Sequence, residues 1–220
     1  MSESTDNYLK TIYSLSKQGS EYVSTNMLAS KVQAKASSAT DMIKKLDQRG
    51  LVEYTKYQGV KLTPEGEKIA IDIIRRHRIW EVFLSEKLGF AWDEIHDIAE
   101  QLEHVISPEL IERLYTFLKQ PKYDPHGDPI PDMHGKLPRI ARSAQLAECT
   151  EGEKVKVISV DDSSSEMLVH LAKLKIMPGS QLTIKKRHDF DESMQVKLNS
   201  RSLLLSGKVA ESIQVQKIKS

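Results

Sequence analysis

Residues 24–66 read STNMLASKVQAKASSATDMIKKLDQRGLVEYTKYQGVKLTPEG, and this stretch decides the fold of the first part of the chain. Apolar residues recur at helical spacing in two short segments, and Gly50 ends the second of them. The following letters, LVEYTKYQGVKL, predict a strand, a turn and a second strand, before Thr63 and Pro64 begin another helix. Two short helices joined tightly and followed by a hairpin are typical of a winged helix-turn-helix.

Polar residues mark where these helices are expected to begin. Ser24 or Thr25 can cap the first helix, and Ser37 or Ser38 the second, because their side-chain oxygens accept hydrogen bonds from unpaired N–H groups. An amphipathic helix over residues 5–17 is predicted to precede both. The first part of the chain is therefore expected to hold three helices and a hairpin.

The middle of the chain is predicted to be helical. Apolar periodicity favours helices over residues 65–88, 91–105 and 107–119. The stretch QPKYDPHGDPIPDMHGKLP, residues 120–138, is rich in Pro, Gly and Asp, so we expect it to be extended and to border a domain.

The last part of the chain alternates apolar and polar residues. The segments KVKVISV, QLTIKKR, MQVKLNS, SLLLSG and SIQVQKI predict five short strands, with one helix at about residues 163–175. This pattern favours a small SH3-like β-barrel. The predicted fold is therefore mainly α with a small β domain. Its domains are a winged helix-turn-helix at 1–64, a helical domain at 65–140 and an SH3-like domain at 141–220.

Composition excludes several classes of protein. Of 220 residues, 39% are hydrophobic and 29% charged, which is typical of a globular chain rather than a disordered one. We expect no signal peptide or membrane span, since no apolar run approaches the roughly 20 residues that a span needs. The single cysteine, Cys149, excludes a disulfide framework and a cysteine-based zinc finger. A cytoplasmic protein is expected.

The charge is segregated along the chain. Residues 1–76 carry 12 Lys or Arg against 9 Asp or Glu, and residues 141–220 carry 13 against 10. Residues 77–140 carry 7 against 12 and hold five of the seven histidines. The acidic, histidine-rich middle part is therefore the place where we expect a cation to bind.

A stripe of metal-ligand types stands out in that part. His96, Glu100, Glu103 and His104 are spaced so that they share one face of a helix. Imidazole and carboxylate together suit a divalent cation, which also relieves the repulsion between the acids. His77 and Glu81 form a second pair, four residues apart on the preceding helix. The alternative is a solvated acidic face with two incidental histidines.

An enzyme is the alternative from another class. Carboxylate and histidine stripes also build hydrolytic or di-iron centres, but a di-iron bundle needs Glu-x-x-His on two helices. The sequence holds no nucleophile elbow, Gly-rich phosphate loop or His-Glu-x-x-His motif. We therefore expect no catalytic residues, and a metal-dependent hydrolase is the weaker hypothesis.

Three motifs together resemble the diphtheria-toxin-repressor family of metal-dependent transcriptional regulators. They are H-R-x-x-E at 77–81, H-x-x-x-x-x-x-E-H at 96–104 and x-Y-L-x-x-I-Y at 7–13, in that family's spacing. The resemblance covers the whole chain. It implies a winged helix that binds DNA, a helical domain for metal binding and dimerisation, and an SH3-like domain.

The resemblance implies a primary metal site formed by Glu100, Glu103 and His104, joined by Asn7 from the first helix. The iron-responsive branch has a cysteine where this chain has Glu100, and the manganese branch has a glutamate. A hard oxygen ligand suits Mn²⁺, so Glu100 indicates Mn²⁺, with Fe²⁺ as the alternative. Lys10 stands where the manganese branch with two adjacent ions has a glutamate, which argues against that binuclear arrangement here.

The resemblance also implies an ancillary metal site with His77, Glu81 and His96. In relatives, side chains of the SH3-like domain complete it, and the local candidates are Asp161, Asp162 and Glu166. Another version of the family uses Glu81 with two residues of the Pro-rich segment, which match Asp124 and His126. Asp124 beside a proline is equally typical of an ordinary turn. A metal bound both by the helical residues and by residues of the Pro-rich segment or the SH3-like domain would make that domain a metal-anchored clamp.

The recognition helix is predicted at residues 35–49, with its N-terminal end in the major groove of double-stranded DNA. The residues expected to reach base edges are Ser37, Ser38, Thr40 and Asp41. Those expected to contact phosphates are Lys35, Lys44 and Lys45, with Lys56 in the wing. A homodimer on a palindromic operator is expected. The predicted function is a Mn²⁺-dependent repressor of metal-uptake genes.

Overall fold

The computed structural model describes residues 2–17, 22–138, 143–162 and 164–218. The helices are α1 (Glu3–Ser16), α2 (Thr25–Lys31), α3 (Ala36–Gln48), α4 (Pro64–Leu88), α5 (Ile95–Leu102), α6 (Pro108–Phe117), α7 (Ser165–Leu174) and α8 (Gly207–Glu211). The strands are β1 (Val52–Thr55), β2 (Gly59–Leu62), β3 (Ala144–Gln145), β4 (Lys154–Val160), β5 (Gln181–Arg187), β6 (Met194–Leu198), β7 (Arg201–Leu205) and β8 (Ile213–Lys217).

The chain divides into two compact units. Unit 1 consists of Met1–His77, Glu103–Ile106 and Pro131–Lys136, and unit 2 of Arg78–Leu102, Ser107–Ile130 and Leu137–Ser220. The division into three domains that the sequence favours stays a prediction, and the boundary expected after residue 140 falls outside the described residues. No helix in the described ranges is long and apolar enough to cross a membrane.

Unit 1 holds the winged helix-turn-helix. Helices α1, α2 and α3 bury one apolar face each in a common core, in which Leu9, Ile12, Leu28, Ile43 and Leu46 are all fully buried. Strands β1 and β2 pair antiparallel, with Val52 opposite Leu62. The order of three helices and a hairpin confirms the architecture predicted for this part of the chain.

The helix caps agree with the sequence in one case and not in the other. The Ser24 hydroxyl accepts a hydrogen bond from the Met27 N–H at 3.1 Å, as predicted for α2. Capping of the next helix by Ser37 or Ser38 is wrong, because α3 begins at Ala36. Its N-cap is Lys35, which makes no side-chain capping bond. Ser37 and Ser38 lie within the first helical turn and are exposed.

Unit 2 contains the predicted β domain. Its strands form one sheet in the order β3-β8-β4-β5-β6-β7, with antiparallel pairing throughout. All five predicted strands are present, which confirms the small SH3-like domain, and the short elements β3 and α8 are additional. The alternate residues Val155, Val157, Val196 and Val215 are buried in its core. Trp92, from the loop between α4 and α5, is buried in the same core.

The helices of unit 2 pack around α4. Its residues Ile79 and Val82 share a cluster with Ile111 and Leu114 of α6. Helix α5 is shorter than the predicted 91–105, because Ala91 and Glu94 close a turn: the Glu94 side chain accepts from the Ala91 N–H at 3.0 Å. Helix α6 begins at Pro108 after the Ser107 cap, within one residue of the predicted start.

Candidate metal and nucleic-acid sites

Glu103 is the buried acid at the centre of a polar cluster in unit 1. Its Oε2 accepts hydrogen bonds from Lys10 Nζ at 2.8 Å and from His77 Nδ1 at 2.6 Å. Burial by itself raises the pKa of Glu103, but the His77 hydrogen bond and the Lys10 charge outweigh it, so the pKa is lowered. This carboxyl group is therefore ionised, and its charge is already matched by a cation of the protein.

A second pair in unit 1 joins α1 to the residue after Glu103. Asp6 Oδ2 lies 3.3 Å from His104 Nδ1, and Asp6 is buried whereas the neighbouring Asn7 is exposed. Asp6 Oδ1 and Glu103 Oε1 are both buried and accept no hydrogen bond within the described residues. Buried carboxylate oxygens are normally satisfied, and a divalent cation is one group that can satisfy a carboxylate. Two carboxylates and an imidazole are donor types that suit a metal ion.

Helix α1 links this cluster to the core of unit 1. Asp6 and Lys10 are four residues apart, so both project from one face of α1. Leu9 and Ile12 of the same helix are fully buried in the core that α3 shares. A displacement of α1 is therefore expected to displace α3 as well, because closely packed cores transmit strain.

Glu81 is the fully buried acid of a cluster in unit 2. Its Oε1 lies 3.4 Å from His126 Nδ1 and 3.6 Å from His96 Nδ1. Asp162, which follows β4, places its Oδ2 3.3 Å from His96 Nδ1 and 3.9 Å from His126 Nδ1. Two carboxylate oxygens thus each lie 3.3–3.9 Å from two imidazole nitrogens, and these donor types suit a divalent cation.

Asp124 combines the two roles that the sequence left open. Its Oδ1 accepts hydrogen bonds from the N–H groups of His126 and Asp128, each at 2.9 Å, which is ordinary turn chemistry. Its Oδ2 faces Arg78 Nε at 3.4 Å and accepts no hydrogen bond within the described residues. Ligand atoms of Glu81, Asp124 and His126 all lie within 4.8 Å of one another. Turn formation by one oxygen therefore leaves the other ion-paired with Arg78, and a metal bound there would have to compete with the guanidinium group.

The main chain fixes the orientation of His126. Its Nε2 lies 2.7 Å from the Trp92 carbonyl, and because a carbonyl only accepts, Nε2 must carry a hydrogen and donate it. The ring nitrogen that faces Glu81 is then Nδ1, the one able to bind a metal. The His126 carbonyl in turn accepts from the Val160 N–H at 3.0 Å, so the Pro-rich segment is attached to β4.

Protons balance the acids of unit 2. Burial lowers the pKa of His96, but hydrogen bonds to Asp162 and Glu81 and their charges raise it to about 10. Burial also lowers the pKa of His126, but the hydrogen bond to Glu81 and the charges of Glu81 and Asp162 raise it to about 9. Burial and the charges of Glu81 and Asp128 raise the pKa of Asp124. Near neutral pH, the imidazoles are protonated, and a metal must displace those protons.

The predicted ligands fall into different surroundings. Unit 1 brings His77, Glu103 and His104 together with Asp6 and Lys10, whereas the predicted ligand Asn7 is exposed. In unit 2, Glu100 lies 3.8 Å from His96 and its side chain is 46% exposed. Of the three acids proposed for the SH3-like domain, Asp162 lies beside the histidines, and Asp161 and Glu166 are exposed.

Two residues of these clusters were not foreseen as parts of a site. Asp6 is next to Asn7, and the motif x-Y-L-x-x-I-Y favoured the position directly before the tyrosine. Arg78 binds the Pro-rich segment: Nη1 donates to the Pro129 carbonyl at 2.6 Å, and Nη2 lies 3.1 Å from Asp128 Oδ2. The burial of Asp6 and the contact of Arg78 with Asp124 are properties of the folded chain, so the sequence alone does not show them.

Helix α3 presents a polar face beside the hairpin. Ala39, Ile43 and Leu46 are buried. The Thr40 hydroxyl donates to the Ala36 carbonyl at 2.8 Å. The residues of the predicted DNA surface that are exposed are Lys35, Ser37, Ser38, Asp41, Lys44, Lys45 and Lys56. These side chains are therefore free of the core and accessible to a large ligand.

Three family models match consecutive parts of the chain. They are the iron dependent repressor N-terminal DNA binding domain at residues 1–60, the iron dependent repressor metal binding and dimerisation domain at 63–132, and the FeoA domain at 144–217. The diphtheria toxin repressor of Corynebacterium diphtheriae is 24% identical over 225 residues, covering 98% of each chain. DNA binding and dimerisation are thus properties of the matched domains.

Solved structures resemble the chain over nearly its whole length. A manganese-dependent transcriptional repressor in complex with manganese is 36% identical, with a TM-score of 0.91 over 97% of this chain and 100% of that one. The manganese regulator SloR is 33% identical, with a TM-score of 0.83 over 97% and 98%. The chain therefore belongs to the diphtheria-toxin-repressor family of metal-dependent, DNA-binding transcriptional repressors, which are regulators rather than enzymes.

Proposed function

We propose that this chain is a Mn²⁺-activated repressor of metal-uptake genes, with Fe²⁺ as the alternative activator. The observation that carries the choice of metal is the donor set. Both clusters offer carboxylate oxygens and imidazole nitrogens, and Cys149 is buried in the core of the β domain. Hard oxygen and imidazole ligands without thiolate favour Mn²⁺ over softer metals. The manganese-dependent structural relatives support the same choice.

The unit 1 cluster is proposed as the activating site. A bound divalent cation would compete with Lys10 for the Glu103 carboxylate and would join it to the Asp6 carboxylate and the His104 imidazole. Asp6 would connect the metal to α1, and Glu103 and His104 would connect the same metal to the residues that follow α5. With α1 fixed, the core that it shares with α3 favours one arrangement of the recognition helix. Metal and DNA then stabilise the same conformation, so each must strengthen binding of the other.

Glu100 and Asn7 stay predicted metal ligands on sequence grounds alone, since Glu100 lies beside His96 in unit 2 and Asn7 is exposed. The match of Glu100 to the manganese branch supports a ligand role for it, and so does its carboxylate chemistry. Asn7 offers an uncharged amide oxygen, whereas the neighbouring Asp6 offers a carboxylate. Substituting each residue alone distinguishes which of the two binds the metal. Separate variants at each position are needed, because adjacent helical residues point about 100° apart.

The unit 2 cluster is proposed as the ancillary site, formed by Glu81, His96, Asp124, His126 and Asp162. Asp162 follows β4, so a metal here would restrain the β domain within unit 2. Replacing Asp162 with Asn should weaken the second Mn²⁺ of each chain, whereas Asp161→Asn is the matched control and should not. Equal calorimetric stoichiometry and affinity in both variants would contradict a clamp by Asp162.

DNA recognition is proposed to use α3 on a palindromic operator. The exposed lysines of α3 would contact phosphates, and the small polar residues would approach base edges. The family's dimerisation domain supports two recognition helices on one duplex, and two-fold symmetry favours a palindrome. A repressor with this role works where the chromosome is, so the cytoplasm is the proposed location.

The test is a fluorescence anisotropy titration of full-length, metal-stripped protein. The probe is a labelled duplex selected from a random library by the Mn²⁺-loaded protein. Parallel titrations contain no metal, Mn²⁺, anaerobic Fe²⁺ or Zn²⁺. We expect Mn²⁺ to tighten DNA binding most. Equal affinity with and without every metal would reject the regulatory function, and activation by Fe²⁺ alone would reject the manganese assignment.

A further inference from the structure

The turn between β1 and β2 carries an aromatic residue in an unfavourable conformation. The Gln58 N–H donates to the Thr55 carbonyl at 3.1 Å, which closes a turn with Lys56 and Tyr57 at its centre. Tyr57 has a φ of 70°. A positive φ at the second central position is typical of a type II turn, which favours Gly or Asn there. A tyrosine is therefore strained at this position.

The ring of Tyr57 contributes nothing to the core that offsets this strain. The residue is 93% exposed, more than any other large apolar or aromatic residue in the described part of the chain. Lys56 places its Nζ 4.9 Å from the centre of the ring, so a cation accompanies the aromatic face. Strain without a packing benefit indicates a use outside the fold.

The tip is held in a fixed position beside α3. The Tyr54 N–H donates to the Asp47 carboxylate of α3 at 3.0 Å. Val60 and Val23 exchange hydrogen bonds of 2.8 and 2.9 Å, which attach the hairpin to the segment before α2. Gly59 lies so close to the Val23 carbonyl that no Cβ fits there, and its φ of 123° also requires glycine. Tyr57 is thus presented on a rigid support.

An exposed aromatic ring with an adjacent ammonium group suits the sugar–phosphate backbone of a nucleic acid. The ring packs on sugars, while the ammonium group pairs with phosphate. Duplex DNA is favoured over a protein partner, because the DNA-binding family model spans residues 1–60 and so includes this turn. The exposed Lys44 and Lys45 of α3 belong to the same unit.

We propose that Tyr57 contacts the DNA backbone next to the groove that receives α3, with Lys56 on the neighbouring phosphate. The inference rests on the DNA-binding function proposed above and adds Tyr57 to its surface. A backbone contact carries no base information, so its loss should weaken all duplexes alike. The aromatic residue in the strained turn is then retained for binding and not for folding.

Tyr57→Gly separates binding from folding, because glycine removes the ring and relieves the positive φ. We expect its melting temperature to equal or exceed that of the wild type. In Mn²⁺, its affinity for the selected duplex should fall about tenfold, as for the loss of one well-packed aromatic contact. Tyr57→Phe should bind nearly as the wild type does. Phe190→Ala, which removes another highly exposed ring, should change nothing.

Salt dependence distinguishes the two residues of the tip. Lys56→Ala should lower the slope of log affinity against log salt by about one, whereas Tyr57→Gly should leave it unchanged. If the wild type binds DNA in a Mn²⁺-dependent manner and Tyr57→Gly binds equally well, this inference is wrong and the proposed function stands. A wild type that binds no duplex overturns both.

Discussion

The two candidate metal-ligand clusters balance their buried charge in different ways. In unit 1, Glu103 is paired with Lys10 and His77, and its pKa is lowered. In unit 2, acids gather around Glu81, and protons on His96 and His126 provide the balancing charge. A metal binding at Glu103 would compete with Lys10 and His77 for an ionised carboxylate, whereas one binding at His96 and His126 would have to displace protons from the imidazoles. The comparison therefore predicts different metal affinities and different pH dependence.

The largest difference is expected from removing the central acid of each cluster. Glu103→Gln should abolish activation of DNA binding by Mn²⁺, a loss of at least about 100-fold at limiting metal. Glu81→Gln should leave activation in place and reduce it about tenfold, in the range of allosteric coupling between sites. Anisotropy titrations measure both.

The control for these variants is Glu109→Gln, since Glu109 forms an exposed pair with Arg113. Such a pair contributes little to stability or structure. Equal losses in Glu103→Gln and Glu81→Gln would remove the distinction between an activating and an ancillary site.

The next effect separates two neighbouring residues of α1. Asp6→Ala should lose Mn²⁺ activation nearly as completely as Glu103→Gln, because the buried Asp6 carboxylate faces His104. Asn7→Ala should be much milder, since Asn7 is exposed. Calorimetry of Mn²⁺ binding measures each variant. The reverse order would restore the sequence-based choice of Asn7.

A smaller effect concerns the ranking of metals. Glu100→Cys replaces a hard carboxylate with a soft thiolate, so activation by Fe²⁺, Co²⁺ or Zn²⁺ should gain relative to Mn²⁺. The measurement is the ratio of activating metal concentrations in anaerobic DNA-binding assays. Glu100→Gln is the control, since it removes the charge without adding sulfur. If the ranking of activating metals is the same in Glu100→Cys as in the wild type, Glu100 is not a metal ligand.

The smallest effect is the release of protons in unit 2. With pKa values of about 10 and 9, His96 and His126 hold protons at pH 7 that metal binding displaces. Affinity at this site should therefore weaken as pH falls and strengthen as pH rises towards 9. Calorimetry in two buffers of different ionisation enthalpy gives the proton count. His126→Gln should release fewer protons, and an unchanged count would contradict the raised pKa.

Regular elements were predictable because they depend on local pattern. Alternation from Lys154 to Val160 predicts β4, and helical periodicity up to Leu88 predicts α4 within one residue of its start. The end of α5 was overestimated, because periodicity continues through Glu103 and His104 after the helix has ended. Ser37 and Ser38 are good capping residues, but the tight connection starts α3 before them.

The sites were predictable only in part, because they depend on which side chains face one another in the fold and on the distances between them. Residue types at helical spacing identified Glu103, His104 and His96. Spacing did not decide between Asp6 and Asn7, which differ by one position, or among the three acids near the start of α7. Tyr57 gave no signal at all, since a positive φ cannot be read from a tyrosine in a sequence.

The central claim is that metal and DNA stabilise one conformation of the protein, and thermodynamic reciprocity tests it most directly. Mn²⁺ affinity is measured by calorimetry for the free protein and for the protein saturated with the selected duplex. DNA affinity is measured with and without Mn²⁺. We predict that DNA tightens Mn²⁺ binding by the same factor by which Mn²⁺ tightens DNA binding. Mn²⁺ affinity unchanged by DNA, in protein that binds the duplex, would contradict the account.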